Sequence, residues 1–507
     1  MSDATDRLAG LTSWWGPWRG LRVAVLGLGV TGFAVADTLV ELNATVQVFA
    51  SGADEDRATI LGVLGVPLHI DPMNQVPEQL REFAPELLVV SPGLHPDHPV
   101  LQWAAAEGVP VWGDIELAWR LRDKVSAQAE WILITGTNGK TTTARLTAAF
   151  LAAAGKRVAP CGNIGVPVLD AVRDPSGFDV FVVELSSYQL HSLPTSGPGA
   201  LIPWASVCLN VADDHLDWHG SFAAYAAAKA KVYANTKVAC VYNRSDEATL
   251  HMVEDADVVE GARAISFGLD SPGRSEFGIV DGILCDRAFL EDRAHSALEL
   301  CTVDELIEVD LAAPHIVLNV LAAAALVRSL GVEPVVIHDV LGSFELDAHR
   351  IRTVAVVDGV RWVDDSKATN PHAANASLRA FEHVVWVVGG LLKGVDLGTL
   401  VQLHASRLRA AIVIGVERDG VREAFARHAP ELPLIEIDSA DTKKVMPLVV
   451  QRASELAQSG DTVLLAPAAA SMDQFQDYAD RGEQFARAVW DQLGGSDEHP
   501  SAGPRHD

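Results

Sequence analysis

The chain is short of positive charge: 39 lysines and arginines face 67 aspartates and glutamates, a formal net charge of -28 over 507 residues. That sign opposes attraction to phosphate backbones and anionic lipid, so nucleic acid and membrane surfaces are poor candidates as partners. Cysteine is scarce as well. The five copies, Cys161, Cys208, Cys240, Cys285 and Cys301, are scattered and form no CxxC pair, which argues against a disulfide framework or zinc knuckle and for a reducing compartment. No uninterrupted apolar run reaches about 18 residues, so membrane insertion is not expected. The opening MSDATDRLAG carries acids ahead of any apolar run and reads as free of a targeting signal; the expected location is the cytoplasm. Without a regular repeat of roughly 20 to 50 residues, a solenoid is not expected.

What is present is an apolar share of 49%, and length for about three domains of roughly 100 to 200 residues. From Leu21 to Gly113, short β-rich runs (LRVAVLG, TVQVFA, LLVVSPG) alternate with helical stretches such as FAVADTLVELN, the pattern of a parallel sheet with crossover helices. A second series starts near Asp114 with WILITG, FDVFVVEL and SVCLNV and runs through IVLNVLAAAALVRSLG. The third opens with VRWVDDSKATN and continues through HVVWVVGG, AAIVIG and DTVLLAP. The expected fold is therefore α/β in three domains. These are a Rossmann-like N-terminal domain (1–113), a central P-loop ATP-binding α/β domain (114–346) and a Rossmann-like C-terminal domain (347–495), with 496–507 as a disordered, solvated tail.

Two glycine loops carry the chemistry. In VAVLGLGVTG, Gly27, Gly29 and Gly32 stand between a strand and a helix, where a pyrophosphate can approach the backbone and rest on the helix N-terminus. A dinucleotide enzyme also needs an acid roughly 20 residues on, at the end of the next strand, to hold the ribose hydroxyls. Here TVQVF ends in Ala50-Ser51-Gly52, and Asp54 and Glu55 lie beyond the turn, where solvent takes them. Omitting a charge-assisted hydrogen bond of about 1.5–3 kcal/mol would weaken NAD binding roughly 10- to 150-fold. The NAD(P)-dependent oxidoreductase reading loses ground; another nucleotide, or a turn that serves only helix–strand packing, stays open.

The second loop lies in WILITGTNGKTTTARLTAAF, residues 131–150. A strand leads to Gly136, and Gly139-Lys140-Thr141 precede an alanine-rich helix. Loop amides there can cradle phosphates, Lys140 can neutralise them, and the Thr141 hydroxyl can meet Mg²⁺. The loop departs from GxxxxGK[ST], since Ile134 stands where the first glycine is expected. Glu184 ends the strand FDVFVVEL on the side where ligands of a parallel sheet bind, and an acid there can hold Mg²⁺ directly or through water. The polar cluster Ala212-Asp213-Asp214-His215-Leu216-Asp217-Trp218-His219 is either a solvated turn or part of the same site.

Taken together and in order, GTNGKTTT, CGNIG, ELSSYQL, NVADDHLDWHG, YAAAK, DDSKATNPHA and APAAASMDQF resemble the Mur ligase family over nearly the whole chain. GTNGKT alone identifies only a superfamily that includes folylpolyglutamate synthetases. ELSSYQL and DDSKATN resemble the D-glutamate-adding branch, whose relatives typically carry a DYAHxP-type segment at the start of the third domain. The resemblance implies that ATP phosphorylates the alanyl carboxylate of UDP-N-acetylmuramoyl-L-alanine and that the amine of D-glutamate displaces the phosphate from the acyl phosphate. Because two anions must meet, lysines and Mg²⁺, expected as two ions, have to offset their repulsion.

By position, the resemblance places Gly136, Thr137, Asn138, Gly139, Lys140, Thr141 and Thr142 on the ATP phosphates, and Thr141, Glu184, His215 and Lys229 on metal. Read plainly, Lys229 and Lys231 in FAAYAAAKAKVY are solvated helix lysines; in the family the lysine at position 229 is carbamylated, which needs a neutral amine and hence a depressed pKa. His315, Asn319, His349, Arg350 and Asp365 are expected at adenine and ribose, although the family often shows HN where this chain has His315-Ile316. Lys367 is expected on phosphate, and Thr369, Lys393, Ser471 and Tyr478 on D-glutamate; Lys393 is on residues alone equally an exposed loop lysine. Val30, Thr31, Ser91 and Gly93 would receive the uridine diphosphate, with Asn163 and His215 facing the substrate from the central domain. A monomer with a closing C-terminal domain is expected. The alternatives are a Mur-type ligase for another amino acid, the oxidoreductase above, and a nucleotide-binding switch without chemistry.

Overall fold

The run RVAVL is apolar at every position after its first, as a strand covered on both faces must be, and it forms the middle of a five-stranded parallel sheet. In the computed structural model, which describes residues 7–8, 10–439 and 441–494, the strands are Arg22–Leu26, Thr45–Ala50, Leu68–Ile70, Leu87–Val90 and Val111–Gly113. Their spatial order is third, second, first, fourth, fifth, all parallel. The order reverses beside the first strand, so its carboxyl end is a topological switch point, the place where open α/β sheets bind ligands. The segment Gly27–Gly29 leaves the sheet there and enters the helix Val30–Glu41.

The second sheet has nine strands. Glu130–Thr135 lies between Val180–Glu184 and Ala205–Cys208, with Val158–Gly162 outside Val180–Glu184, all parallel. On the other side Ala239–Asn243, Arg263–Phe267 and Glu276–Val280 continue parallel, and Ile283–Asp286 and Leu298–Thr302 close the edge antiparallel. The five strands of this sheet beyond Cys208 are not among the runs expected from the sequence. The two sheets share one apolar core running from Leu8 through Leu39, Trp131 and Leu190 to Met252.

These sheets form one compact unit, the described residues up to Val303 together with Leu318–Ser343; Asp304–Val317 and the described residues from Phe344 form a second. The units divide the chain at 343/344, and the helix Pro314–Arg328 changes unit along its length. In the second unit, Val360–Asp364, Thr462–Leu465, Val384–Gly389, Leu408–Ile414 and Leu434–Glu436 are parallel neighbours in that order. Arg352–Val357 adds an antiparallel edge through a two-residue hairpin at Asp358-Gly359, both with positive φ (52° and 76°), as a twisted hairpin prefers. In VVWVVG, Val384, Trp386 and Val388 face one core while Val385 and Val387 face another. Burying each such valine contributes about 1.5–3 kcal/mol. The tail expected at 496–507 lies outside the described residues, and among those described no helix is long and apolar enough to cross a membrane.

Candidate active site

At the first glycine loop, a Cβ on Gly32 would sit 2.1 Å from the Gly27 carbonyl oxygen, so helix and loop pack too closely for any side chain. Gly29 has nothing within 4 Å of its Cβ position, and Val30, the first helical residue, is 54% exposed. The helix N-terminus is thus open at Gly29–Thr31, its amides free of side-chain caps. Ser91, leaving the neighbouring strand, carries a buried hydroxyl with no hydrogen-bond partner, and the Trp218 indole N–H donates to the Gly93 carbonyl at 3.3 Å. Asp54 caps the next helix at the Arg57 amide and stays exposed, in keeping with its expected solvation.

The central loop is clamped. The Thr137 amide donates to the Asn210 carbonyl (2.9 Å), the Asn138 amide to Asn210 Oδ1 (2.9 Å), and Asn210 Nδ2 returns to the Asn138 carbonyl (3.1 Å). Thr137 Oγ1 lies 2.9 Å from the Tyr225 hydroxyl and accepts the Ala212 amide at 3.0 Å. Gly139 starts the helix Lys140–Ala153 at φ +85°, and a Cβ there would meet Asn319 Oδ1 at 2.4 Å. Lys140 Nζ folds back onto the carbonyls of Gly136 (2.9 Å) and Thr137 (3.0 Å). The Thr142 hydroxyl is buried without a partner.

Glu184 ends the adjacent strand 1% exposed. Its Oε1 accepts Asn163 Nδ2 at 2.9 Å, whereas Oε2 is buried with no hydrogen-bond partner. A buried, unpaired carboxylate oxygen carries a full desolvation penalty and invites an ion. Among the described residues no group of three or more His, Cys, Asp and Glu could hold a metal by itself. The open Glu184 oxygen beside the glycine loop fits a hard cation such as Mg²⁺, which takes one or two carboxylates and completes its shell with phosphate oxygens and water.

Lys229 overturns the plain reading of its helix. Phe222–Ala230 buries Tyr225, Ala228 and Lys229 as one stripe, three and four residues apart as helix geometry requires. Lys229 Nζ donates to the same Gly136 carbonyl as Lys140, at 2.9 Å, and to Thr135 Oγ1 at 3.5 Å, over the Tyr225 ring at 4.8 Å. Burial, and then the Lys140 charge, push its pKa down to about 7. Lys231 is only half-buried, bonded to the carbonyls of His191 and Leu193.

His215 sits at φ 52°, a conformation costly for a residue with a Cβ and concentrated at functional sites. Its Nδ1 meets the Tyr188 hydroxyl at 2.7 Å and Nε2 lies 3.6 Å from Asp214. Burial together with the Lys140 and Lys229 charges lowers its pKa, while Asp214 opposes them. Tyr188 packs against the His215 ring and against Trp218, which packs on His219, while Asp213, His215 and Asp217 stay exposed.

In the second unit, three parallel neighbours deliver their carboxyl-end loops together. Asp365 follows one, buried; it accepts the Ser377 hydroxyl and the Ile351 amide (3.2 Å), and burial pushes its pKa up to about 7. His349 (φ 65°) and Ile351 (φ 45°) hold strained backbone on either side of Arg350; His349 Nδ1 is 2.6 Å from Asp364. His315 has a buried Nδ1 without a hydrogen-bond partner, and burial, then Arg350, lowers its pKa to about 4. Lys367 Nζ lies 5.1 Å from the Tyr478 ring. The loops carrying Lys393 and Ser471 are joined by an antiparallel bridge between Leu391 and Ala470; Ser471 is buried and Lys393 exposed. Thr369 follows Lys367, its amide bonded to the Lys367 carbonyl.

Sequence reasoning passes over Tyr225, Asn210 and Arg481. Tyr225 stands four residues before Lys229, a spacing that signals a shared helix face. Arg481, fully buried, ties the loop after Asp364 to the loop after Leu465 through Ser366 Oγ (2.9 Å), the Ser366 carbonyl (2.8 Å) and the Ala469 carbonyl (3.1 Å). No sequence signal marks it.

Family models match three stretches: the Mur ligase MurD-like N-terminal domain at residues 21–113, the Mur ligase middle domain at 134–327 and the Mur ligase glutamate ligase domain at 349–469. With this loop pair, sheet order and buried acid, the chain belongs to the Mur ligase family of ATP-dependent, ADP-forming amide ligases. It is 64% identical, over its full length and 99% of the relative, to a UDP-N-acetylmuramoylalanine--D-glutamate ligase of Leifsonia xyli subsp. xyli. To proteins of the same name from Streptomyces avermitilis and Mycolicibacterium smegmatis it is 51% and 42% identical, covering 93% and 96% of this chain and 98% and 99% of theirs. The fold is shared with the UDP-N-acetylmuramate-alanine ligase MurC of Thermotoga maritima (TM-score 0.53, 19% identity, 93% of this chain and 99% of that one). The MurF ligase of the same organism, in complex with ADP, is similar too (TM-score 0.52, 18%, 94% and 95%).

Proposed function

We propose that the chain joins D-glutamate to UDP-N-acetylmuramoyl-L-alanine at the cost of ATP, a step in peptidoglycan precursor synthesis, as a monomer in the cytoplasm. The observation that carries this reading is the 64% identity across 100% of the chain to a ligase of that name. The substrate carboxylate attacks the terminal phosphorus and ADP leaves. The D-glutamate amine then attacks the acyl carbon, and phosphate departs as the amide forms and a proton is lost.

Each step asks for groups the chain holds ready. Gly136, Thr137, Asn138, Gly139, Thr141 and Thr142 shape the phosphate cradle; the Thr137 and Asn138 amides are already held by Asn210, so the remaining loop groups make the direct contacts, and Lys140 exchanges two loop carbonyls for a phosphate oxygen. Thr141 and Glu184 hold one Mg²⁺, with His215 and a carbamate on Lys229 at a second. Bound there, Mg²⁺ offsets the repulsion between two anions. Carbamate formation needs a neutral amine, and a pKa of about 7 leaves a large neutral share at neutral pH; it adds CO₂ to the amine and releases one proton. His315, Asn319, Arg350 and Asp365 take adenine and ribose, while Lys367 meets phosphate. Thr369, Lys393, Ser471 and Tyr478 take D-glutamate. Val30, Thr31, Ser91 and Gly93 hold the uridine diphosphate, with Asn163 and His215 on the acyl end.

The test is phosphate release from ATP with UDP-N-acetylmuramoyl-L-alanine, comparing D-glutamate with L-glutamate, L-alanine and meso-diaminopimelate. D-glutamate alone should stimulate release. Stimulation by another amino acid instead, or by none, overturns the assignment.

A further inference from the structure

We propose that Arg173, outside both glycine loops, is a positioning residue that holds the diphosphate-facing helix Val30–Glu41 in register with the acyl-transfer centre at Glu184. The proposal rests on the reading above that Val30 and Thr31 meet the diphosphate. Arg173 ends the helix Val168–Arg173 of the central sheet's layer. Its guanidinium places one nitrogen 2.5 Å from Asp37 and another 2.9 Å from Glu41, one turn apart on the helix of the first sheet. The same Asp37-directed nitrogen lies 3.5 Å from the Thr38 hydroxyl. Lys124 closes on the other Glu41 oxygen at 2.6 Å.

The two helices pack against each other within one apolar core, to which Ala34, Val35 and Leu39 of the first and Leu169, Ala171 and Val172 of the second belong, and such packing is non-directional. It keeps the helices together without setting where one slides or tilts on the other. A planar guanidinium fork bonded to two acids a turn apart does set it. Helix Val30–Glu41 has 12 residues, and at 1.5 Å per residue a tilt of about 10° about its braced end swings the N-terminus by roughly 3 Å. Misplacing a substrate by about 1 Å can cost about 10²-fold.

The same short stretch of chain reaches the chemistry at its other end. Asn163 donates to Glu184 Oε1 at 2.9 Å, and ten residues later Arg173 grips the substrate-binding helix. Residues 163–173 thus relate the diphosphate end of the substrate to its acyl end. The ion pairs are partly exposed, with side-chain accessibilities of 20% for Arg173, 30% for Asp37 and 40% for Glu41. Such pairs contribute little to stability, so their loss should disturb position more than folding.

The full chain carrying Arg173→Ala is compared with the parent by calorimetric binding of UDP-N-acetylmuramoyl-L-alanine without ATP, by KM for each substrate, and by thermal melting. Binding of the UDP-sugar should weaken about tenfold, with its KM rising in parallel. The KM values for ATP and D-glutamate should stay within about twofold, and melting should shift by a few degrees at most. Arg173→Lys, which keeps the charge and loses the fork, should recover part of the loss. The double variant Asp37→Asn, Glu41→Gln should reproduce the defect with Arg173 in place, and it decides the matter should Arg173→Ala fail to fold. UDP-sugar affinity within twofold of the parent, or all three KM values rising together with a large fall in melting temperature, overturns the proposal. A parent enzyme that binds the UDP-sugar but ignores D-glutamate would sink the proposed function while leaving the brace to be judged by binding.

Discussion

Two glycine loops follow two parallel strands and open two helices, yet they are built for different work. Around the first, the glycines serve close packing around a buried, unpaired Ser91 hydroxyl, and what faces outward is bare helix N-terminus without a lysine. Around the second, two lysines share one carbonyl, Glu184 keeps an unpaired oxygen, and asparagine and tyrosine side chains clamp the loop itself. Amide dipoles suffice to hold a diphosphate that does not react. A phosphoryl group in transfer develops charge and needs full cations in a site shielded from water. The glycine pattern therefore reports only that backbone is closely approached, by packing or by an anion; the charges set around it would tell a holding site from a reacting one.

The sharpest way to break that contrast is Lys140→Ala. Phosphate release should fall by about 10³-fold, with UDP-N-acetylmuramoyl-L-alanine binding and melting temperature near the parent's; comparable turnover would remove Lys140 from the phosphate role. Lys229→Ala comes next, with an expected loss of about 10²-fold. Bicarbonate should leave this variant unchanged, and normal turnover would end the carbamate assignment. Lys229 also carries a pH signature. Its folded pKa of about 7 lies below the ordinary lysine value of 10.5, so the unfolded chain binds more protons between those limits. The cost of burying the charged amine is fully present below the folded pKa and fades as pH rises toward the unfolded one. Lys229→Met should accordingly raise the melting temperature most below pH 7, and the gain should shrink through the alkaline range; a gain independent of pH would show that the amine is not buried charged.

Much of the first and central sheets is legible in the sequence, because LRVAVLG, LLVVSPG, WILITG and FDVFVVEL are apolar runs ended by glycine or a polar residue. In the same two sheets the strands Leu68–Ile70, Val111–Gly113 and Glu276–Val280 are not: they are short or of mixed burial, so neither period dominates. Charge alone says nothing of Lys229, since a buried and a solvated helix lysine look alike until the partner surface is known. Glu184 is legible as an acid at a strand end, but the open valence on Oε2 appears only once Asn163 is seen to take Oε1. Arg481 and Arg173 are invisible for a related reason. What each does depends on loops and helices far away in sequence.

The gentlest perturbations sharpen the comparison furthest, since they separate packing from ligand approach within one loop. Gly32→Ala would press a Cβ to 2.1 Å from the Gly27 carbonyl oxygen, a backbone clash without a flexible side chain to yield, and should cost about 1–3 kcal/mol of stability. Gly29→Ala meets nothing within 4 Å and has φ -77°, so stability should change by no more than about 0.5 kcal/mol. The added methyl stands at the open helix N-terminus, and its effect should fall on the UDP-sugar: a several-fold rise in that KM with the KM for ATP unmoved. Equal melting and equal KM values in Gly29→Ala would mean that no substrate approaches the backbone there, leaving the whole first loop as a packing device.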